Sequence, residues 1–267
     1  MALIAMVSAK GSPGVTTAAL ACTLSWSSRT LLAECDPAGG DILAGYLANS
    51  EIPPIGLLNL AVAELRGQAD TTEFNKQIID LDLKHPGYRH VLPGINDPVQ
   101  IGTVRPVWPR LTDFFLGLEY KGPGYDVIAD CGRLATSAPP WPLLHRADLV
   151  VLVVRATSLR AILPAIPAIG QLRKELTDNG RGAGSLALML VGRGSEPASE
   201  IERRLQVPVL AELPEDRAAA TALSDGIGRL RDSSPLLRAA AAAEPILRQA
   251  IEQRRARLTA TRAGARG

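Results

Sequence analysis

The segment AKGSPGVTTAA, residues 9–19, combines a lysine, two glycines and two threonines shortly after the apolar run LIAMV. Gly11 and Gly14 allow backbone N–H groups to face an anion without obstruction by a Cβ atom. The helix predicted to follow adds the positive end of its dipole, and the Thr16 hydroxyl is a hard oxygen of the kind that Mg²⁺ prefers. The segment therefore has the outline of a phosphate-binding loop, although Val15 stands where such a loop carries a lysine.

Two further loops carry aspartates directly after apolar runs. Asp36 lies in ECDPAGGD, which ends the strand predicted over residues 30–34, and Asp130 lies in DCGRL, which ends the strand predicted over residues 125–130. In open α/β sheets, ligands bind outside the carboxyl ends of the strands. Taken singly, such glycines could merely turn the chain and such aspartates could cap helices. Three loops of this kind in this order favour a site for phosphate and magnesium.

Short apolar runs alternate with helical patterns, which is typical of a mainly parallel sheet covered by helices on both faces. The predicted strands are residues 3–8, 30–34, 90–92, 125–130, 147–154, 186–191 and 207–213. The predicted helices are residues 16–27, 55–65, 71–81, 104–118, 158–176 and 198–205. We predict one three-layer, doubly wound α/β domain over residues 1–250 and a basic, flexible tail over residues 251–267.

The composition and the cysteines exclude several classes of protein. Of the 267 residues, 46% are hydrophobic, which supports a packed core and argues against disorder. Cys22, Cys35 and Cys131 lack the spacing of a disulfide framework or a zinc site and are predicted to be buried, reduced thiols. We find no signal-like leader and no run of the ~20 apolar residues that span a bilayer, so the protein is predicted to be cytoplasmic. The net charge of +2 neither favours nor excludes nucleic acid.

Over about residues 1–235 the motifs resemble, in order, those of the MinD/ParA group of P-loop ATPases, which carry a deviant Walker A loop. KGSPGVTT resembles the group's KGGxGKTT loop, and LLAECDPAGGD resembles its switch segment. YDVIADCGRLA resembles its Walker B strand, and LMLVGRG and VPVLAELPEDRA resemble the late strands near the adenine. The resemblance implies a P-loop NTPase fold, ATP or ADP with Mg²⁺ as ligands, and a nucleotide-sandwich homodimer as the active form.

The resemblance also implies a role for each matching residue. Lys10 would be the signature lysine that reaches the phosphates of the partner subunit. Asp36 would position the attacking water, Asp130 would be the Walker B carboxylate, and Thr16 would complete the metal site with them. The residues that line the nucleotide would be Gly11, Ser12, Pro13, Gly14, Val15, Thr16, Thr17, Arg193, Pro214 and Asp216.

Val15 is the largest departure from the pattern of that group. The lysine expected there neutralises the β- and γ-phosphates, and such a charge-assisted bond contributes roughly 1.5–3 kcal/mol. Its absence predicts binding weaker by about tenfold or more and slower hydrolysis. Gly132 and Arg133 replace two prolines, so Arg133 could supply a cation to the site. Gly192 replaces an asparagine that reads adenine.

Two functions remain open from the sequence. The first is a nucleotide-dependent switch in intracellular positioning, such as DNA partitioning or the placement of a division site or pilus, with weak ATP binding and slow hydrolysis. The second is a non-hydrolysing pseudo-ATPase scaffold that recruits a protein partner. A hydride-transfer enzyme is disfavoured because GSPGVT lacks the spacing G-x-G-x-x-G.

The C-terminal segment has alternatives of its own. It could bind DNA phosphates or anionic lipid, which would give nucleoid or membrane association, or it could pack on the domain as a last helix with a solvated tail. Its arginines are Arg248, Arg254, Arg255, Arg257, Arg262 and Arg266.

Overall fold

One eight-stranded sheet organises the described residues, which are 2–11, 13–82, 84–120 and 124–264 of the computed structural model. The strands are β1 (Leu3–Ser8), β2 (Thr30–Glu34), β3 (Ile79–Asp80), β4 (Arg89–Leu92), β5 (Asp126–Arg133), β6 (Leu149–Arg155), β7 (Leu186–Val191) and β8 (Val209–Leu213). The α-helices are α1 (Val15–Ser25), α2 (Leu57–Leu65), α3 (Thr71–Lys76), α4 (Ile101–Val104), α5 (Trp108–Gly117), α6 (Trp141–Arg146), α7 (Leu159–Ile162), α8 (Ala165–Asp178), α9 (Ala198–Leu205), α10 (Arg217–Asp225) and α11 (Pro235–Gly264).

The strand order places β1 at the centre of the sheet, as β3-β4-β2-β5-β1-β6-β7-β8. All neighbouring pairs are parallel except β3 with β4 at one edge. β1 lies between β5 and β6, and the strand order runs outward in opposite directions on its two sides. Ligands of doubly wound sheets bind where the strand order reverses in this way. The predicted fold class is confirmed, and the ends of β1, β5 and β2 lie side by side.

Alternation along the strands divides the apolar side chains between two cores, one on each face of the sheet. In β6, Val150 and Leu152 belong to one core, whereas Val151 and Val153 belong to the other. The first core is covered by α2, α5, α6, α8 and α9, and the second by α1, α10 and α11. Strands buried on both faces need apolar residues at successive positions, which accounts for the continuous apolar runs in the sequence.

Two predicted helices are interrupted by proline. The helix predicted over residues 104–118 is divided into α4, a 3₁₀ turn and α5, with Pro106 and Pro109 in the first turns of the later pieces. The helix predicted over residues 158–176 is divided into α7 and α8 at Pro164. Proline lacks the N–H that continues a helix, so each interruption follows from its chemistry.

Other predicted elements were wrong in extent or were missed. The helix predicted over residues 71–81 is too long, because α3 ends at Lys76 and Ile79 and Asp80 form β3. Pairing of β3 with β4 places Ile79 opposite Val91, and this tertiary contact overrides a weak local helical pattern. The short helices α6 and α10 were not predicted.

Helix α11 crosses residue 250, where the sequence analysis ends the domain. Arg248 pairs with Asp126, Arg255 holds both oxygens of Asp148, and buried Arg254 donates to the Asp148 carbonyl. These contacts attach part of α11 to the domain, but they do not test where the domain ends, so the boundary at residue 250 and the flexible tail stay predictions. Residues 265–267 lie outside the described residues. None of the helices formed by the described residues combines the length and apolar character that crossing a membrane requires.

Candidate nucleotide site

The loop between β1 and α1 has the backbone of an anion-binding turn. Gly11 has φ +74° and Gly14 has φ +96°, in the left-handed region that favours glycine. A Cβ atom at either position would meet nothing within 4 Å among the described residues, so the space beyond both glycines is open. The first N–H groups of a helix have no intrahelical partner. Gly14 is the N-cap of α1 and has no side chain that could accept a hydrogen bond from them. Ser12 lies outside the described residues.

Thr16 and Asp130 meet beneath this loop. The Thr16 hydroxyl lies near enough to the Asp130 carboxyl group to lower its pKa, and the Gly132 N–H donates to Oδ1 of Asp130 at 2.9 Å. Asp130 is only 2% exposed. Burial raises the pKa of Asp130 to about 6, although the Thr16 hydroxyl and the Gly132 N–H lower it. A cation beside this carboxyl group would favour its ionised form, as expected of a metal-binding position.

Asp36 follows β2 and faces the same point. Its Oδ1 accepts a hydrogen bond from the Ala38 N–H at 2.7 Å, which turns the loop. A Cβ atom on Gly132 would lie 2.1 Å from Cγ of Asp36, and Gly132 has φ +63°. Only glycine therefore fits after Cys131 while Asp36 keeps this position. Burial raises the pKa of Asp36, whereas the Ala38 N–H and the Arg133 charge lower it.

Glu34 anchors the loop after β2, a role that the sequence analysis missed. It ends β2 and is 1% exposed. Its Oε1 accepts the N–H groups of Asp41 and Ile42 at 2.8 and 3.0 Å, and its Oε2 accepts the Gly94 N–H at 3.0 Å. Burial raises the pKa of Glu34 to about 7 against the effect of these bonds. One carboxyl group thus joins the Asp36 loop to the end of β4. The sequence feature that could have indicated this role is an acidic residue at the end of an apolar run.

Val15 and Lys10 occupy different environments. Val15 begins α1, is 6% exposed and belongs to the core that contains Met6 and Ala18. The position expected to carry a phosphate-binding lysine therefore contributes apolar packing. Lys10 is exposed and lines, with Arg155, a pocket to which neither Thr16 nor Asp36 contributes.

Two adjoining pockets flank the loop. The smaller one has a volume of about 160 Å³ and the larger one about 290 Å³. The smaller pocket is lined by Ser8, Gly11, Pro13, Gly14, Val15, Thr16, Thr17, Asp36, Asp41, Gly132 and Arg133. Pro13, Gly14 and Thr17 also line the larger pocket, together with Arg155, Pro214 and Asp216. The shared residues make the two pockets neighbours, the smaller one beside Thr16 and Asp36 and the larger one beside Pro214 and Asp216.

Asp216 in the larger pocket has an unmet hydrogen-bonding capacity. Its Oδ1 caps α10 by accepting the Ala219 N–H at 3.1 Å, whereas its buried Oδ2 has no partner among the described residues. An unsatisfied buried acceptor costs about 1–3 kcal/mol, which a donor on a bound base would relieve. Arg193 lines a separate pocket with Gly194 and Glu196, so the structure does not group it with Asp216.

The donor set fits a magnesium–nucleotide pair rather than a metal held by protein alone. Among the described residues, no three His, Cys, Asp or Glu side chains are arranged to hold a metal ion. Mg²⁺ usually takes one or two protein oxygens and completes its shell with phosphates and water, which Thr16, Asp36 and Asp130 could support.

The prediction that the three cysteines are buried thiols is confirmed. Burial raises the pKa of Cys35 and Cys131, so their thiols are poor nucleophiles.

The comparisons with known proteins rest on structure alone. No protein-family model and no curated protein matches this sequence. A ParA family ATPase from Chlorobium tepidum TLS is similar with a TM-score of 0.68 and 16% identity, over 90% of this chain and 97% of that chain. The MinD cell division protein of Aquifex aeolicus has a TM-score of 0.67 and 18% identity, over 93% and 98%. A MinD from Pyrococcus horikoshii OT3, complexed with Mg-ADP, has a TM-score of 0.63 and 18% identity, over 90% and 93%. The chain therefore has the fold of the MinD and ParA ATPases.

Proposed function

We propose that this protein is a nucleotide-dependent switch in intracellular positioning, which binds Mg-ATP and Mg-ADP weakly and hydrolyses ATP slowly. The observation that carries the proposal is the convergence of an open, uncapped glycine loop with Thr16 and Asp36 around one pocket, with buried Asp130 beside Thr16 and Gly132. Similar folds have been solved with nucleotide, including a McdA variant of Cyanothece with ATP and a cobyrinic acid a,c-diamide synthase of Mycobacterium smegmatis with an ATP analogue and magnesium.

Each part of the site has a distinct task in this proposal. The N–H groups of the loop and of the first turn of α1 bind the phosphates. Thr16, Asp36 and Asp130 would hold Mg²⁺, which neutralises phosphate charge when bound. Asp36 also orients the attacking water, and Pro214 and Asp216 border the base. Turnover is slow because Val15 supplies no ammonium group to the transition state.

We also propose a cytoplasmic homodimer that engages a protein partner. Lys10 is exposed outside the pocket of Thr16 and Asp36, as a residue acting on the phosphates of a second subunit would be. A MinC:MinD complex of Aquifex aeolicus is among the similar structures. Binding of DNA or anionic lipid through the C-terminal helix is the weaker proposal, because Arg248 and Arg255 are paired with carboxylates of the domain.

Calorimetry with Mg-ATP and Mg-ADP tests the nucleotide site. We expect saturable binding that chelation of Mg²⁺ weakens. Thr16→Ala should bind ATP with little dependence on Mg²⁺, whereas Thr177→Ala, an exposed threonine on α8, should behave as the wild type. Absence of heat, together with an unshifted melting temperature at high ATP, would refute nucleotide binding.

Burial of Val15 in the core favours the second function, a scaffold that does not hydrolyse nucleotide. The two functions differ in whether nucleotide changes the assembly. Light scattering after gel filtration should give a mass that rises toward a dimer with Mg-ATP if the protein is a switch. A dimer that forms without nucleotide, and whose mass ATP does not change, would support the scaffold.

A further inference from the structure

The end of β5 contains one more residue than the strand beside it. Met6 of β1 is paired with Asp130, and Ser8 is paired with Arg133, so two steps along β1 face three along β5. Gly132, with its left-handed φ of +63°, lies within this irregularity. The N–H of Leu134, the residue after Arg133, donates to the Ser8 carbonyl at 2.8 Å. The backbone on both sides of the extra residue is therefore fixed to β1, immediately before the phosphate-binding loop.

The extra residue changes the direction of the Arg133 side chain. In a regular strand, residues three apart point to opposite faces, so Arg133 would point away from the face of Asp130. A β-bulge reverses this alternation and is a common way to re-aim a side chain beside an active site. Arg133 lines the same pocket as Gly14, Thr16 and Asp36.

The charges around the smaller pocket make a cation at this position significant. Asp36 and Asp41 line the pocket and Asp130 lies beneath it, whereas Arg133 is the one Lys or Arg among the described lining residues. Lys10 lines a different pocket. A polyphosphate in the smaller pocket would need a positive group, and Val15 does not supply one.

We propose that Arg133 contacts the terminal phosphate of a nucleotide bound to the same subunit and takes the place of the lysine that Val15 replaces. The inference rests on the proposed nucleotide site and adds the residue that recognises the end of the phosphate chain. A guanidinium group suits this task because its planar fork can bind two phosphate oxygens at once.

The test compares nucleotides that differ only in phosphate number. Calorimetry would measure the Kd of Mg-ATP, Mg-ADP and AMP for the wild type, Arg133→Ala, Arg133→Lys and the control Arg160→Ala. We expect Arg133→Ala to raise the Kd of Mg-ATP by about tenfold or more and to leave that of AMP unchanged. Arg133→Lys should lose less, and Arg160→Ala, an exposed arginine on α7, should match the wild type. Melting curves verify that each variant is folded.

Tripolyphosphate is the second probe, because it lacks the base. If the wild type binds ATP and Arg133→Ala binds it equally well, the role of Arg133 is refuted and the proposed function stands. If the wild type binds tripolyphosphate but not ATP, and Arg133→Ala weakens that binding, the nucleotide proposal fails while the phosphate contact stands. If the wild type binds neither probe, both proposals are overturned.

Discussion

The contact between Gly132 and Asp36 makes a quantitative prediction for Gly132→Ala. A Cβ atom at this position would lie 2.1 Å from both Cγ and Oδ2 of Asp36, at a backbone φ of +63°. The left-handed conformation costs an L-residue roughly 1–2 kcal/mol, and forcing extra atoms into a packed site costs a further ~1–3 kcal/mol. We expect the free energy of unfolding to fall by about 2–5 kcal/mol if Asp36 stays in place. If Asp36 moves away, the loss is about 1–2 kcal/mol, and phosphate release from ATP should fall instead.

Urea denaturation followed by circular dichroism measures the first effect, and a phosphate-release assay measures the second. Gly170→Ala is the matched control, because Gly170 lies in α8, where a Cβ atom would meet nothing within 4 Å among the described residues. Alanine there should raise the free energy of unfolding by ~0.5–1 kcal/mol. Wild-type stability combined with wild-type phosphate release in Gly132→Ala would refute the argument from packing.

Two further predictions concern charge. Val15→Lys should lower the Kd of Mg-ATP by about tenfold or more and lower the free energy of unfolding by ~1.5–3 kcal/mol, because a buried valine is lost. In the Arg133→Ala background it should restore ATP affinity in calorimetry, and no restoration would mean that the two cations are not interchangeable. Burial raises the pKa of Asp126, but hydrogen bonds from a hydroxyl and an indole and the charge of Arg248 outweigh it and hold the pKa below its usual value. Because the folded pKa is lowered, the stabilisation is present above the unfolded pKa of roughly 3.9 and is lost as pH falls through the folded value. Asp126→Asn should therefore lower the free energy of unfolding near neutral pH and change it little in strong acid. Urea denaturation at both pH values measures this, and a loss of stability of the same size at both would contradict the argument.

Local patterns explain why much of the sheet could be predicted. β1, β2, β7 and α9 have the predicted bounds, since each is a short apolar run or an amphipathic segment with clear breaks on both sides. The edge strand β3 has two residues and no pattern of its own, and it exists because β4 offers it a partner. The prolines that divide two of the predicted helices are visible in the sequence, but the geometry of each break depends on how the shorter helices pack.

The C-terminal arginines show what a count of charges along the chain leaves out. In the sequence they form a basic segment next to a partly apolar face, which is typical of a surface that binds DNA or lipid. In the structure Arg248 pairs with Asp126, 122 residues away, and Arg255 pairs with Asp148, 107 residues away. A local window contains these two cations but not the distant carboxylates, Asp126 and Asp148, that pair with them.

By itself the sequence determined the glycine-rich loop after β1, the parallel sheet and the aspartates at its edge, because glycine spacing and apolar periodicity are properties of adjacent residues. Tertiary structure decided which of these groups meet. It joined Glu34 to the Gly94 N–H, left room for Asp36 only beside a glycine, and turned Arg133 into the pocket through one extra residue in β5. Each of these contacts spans segments far apart in the chain, so it depends on sheet order and register, which local spacing does not encode.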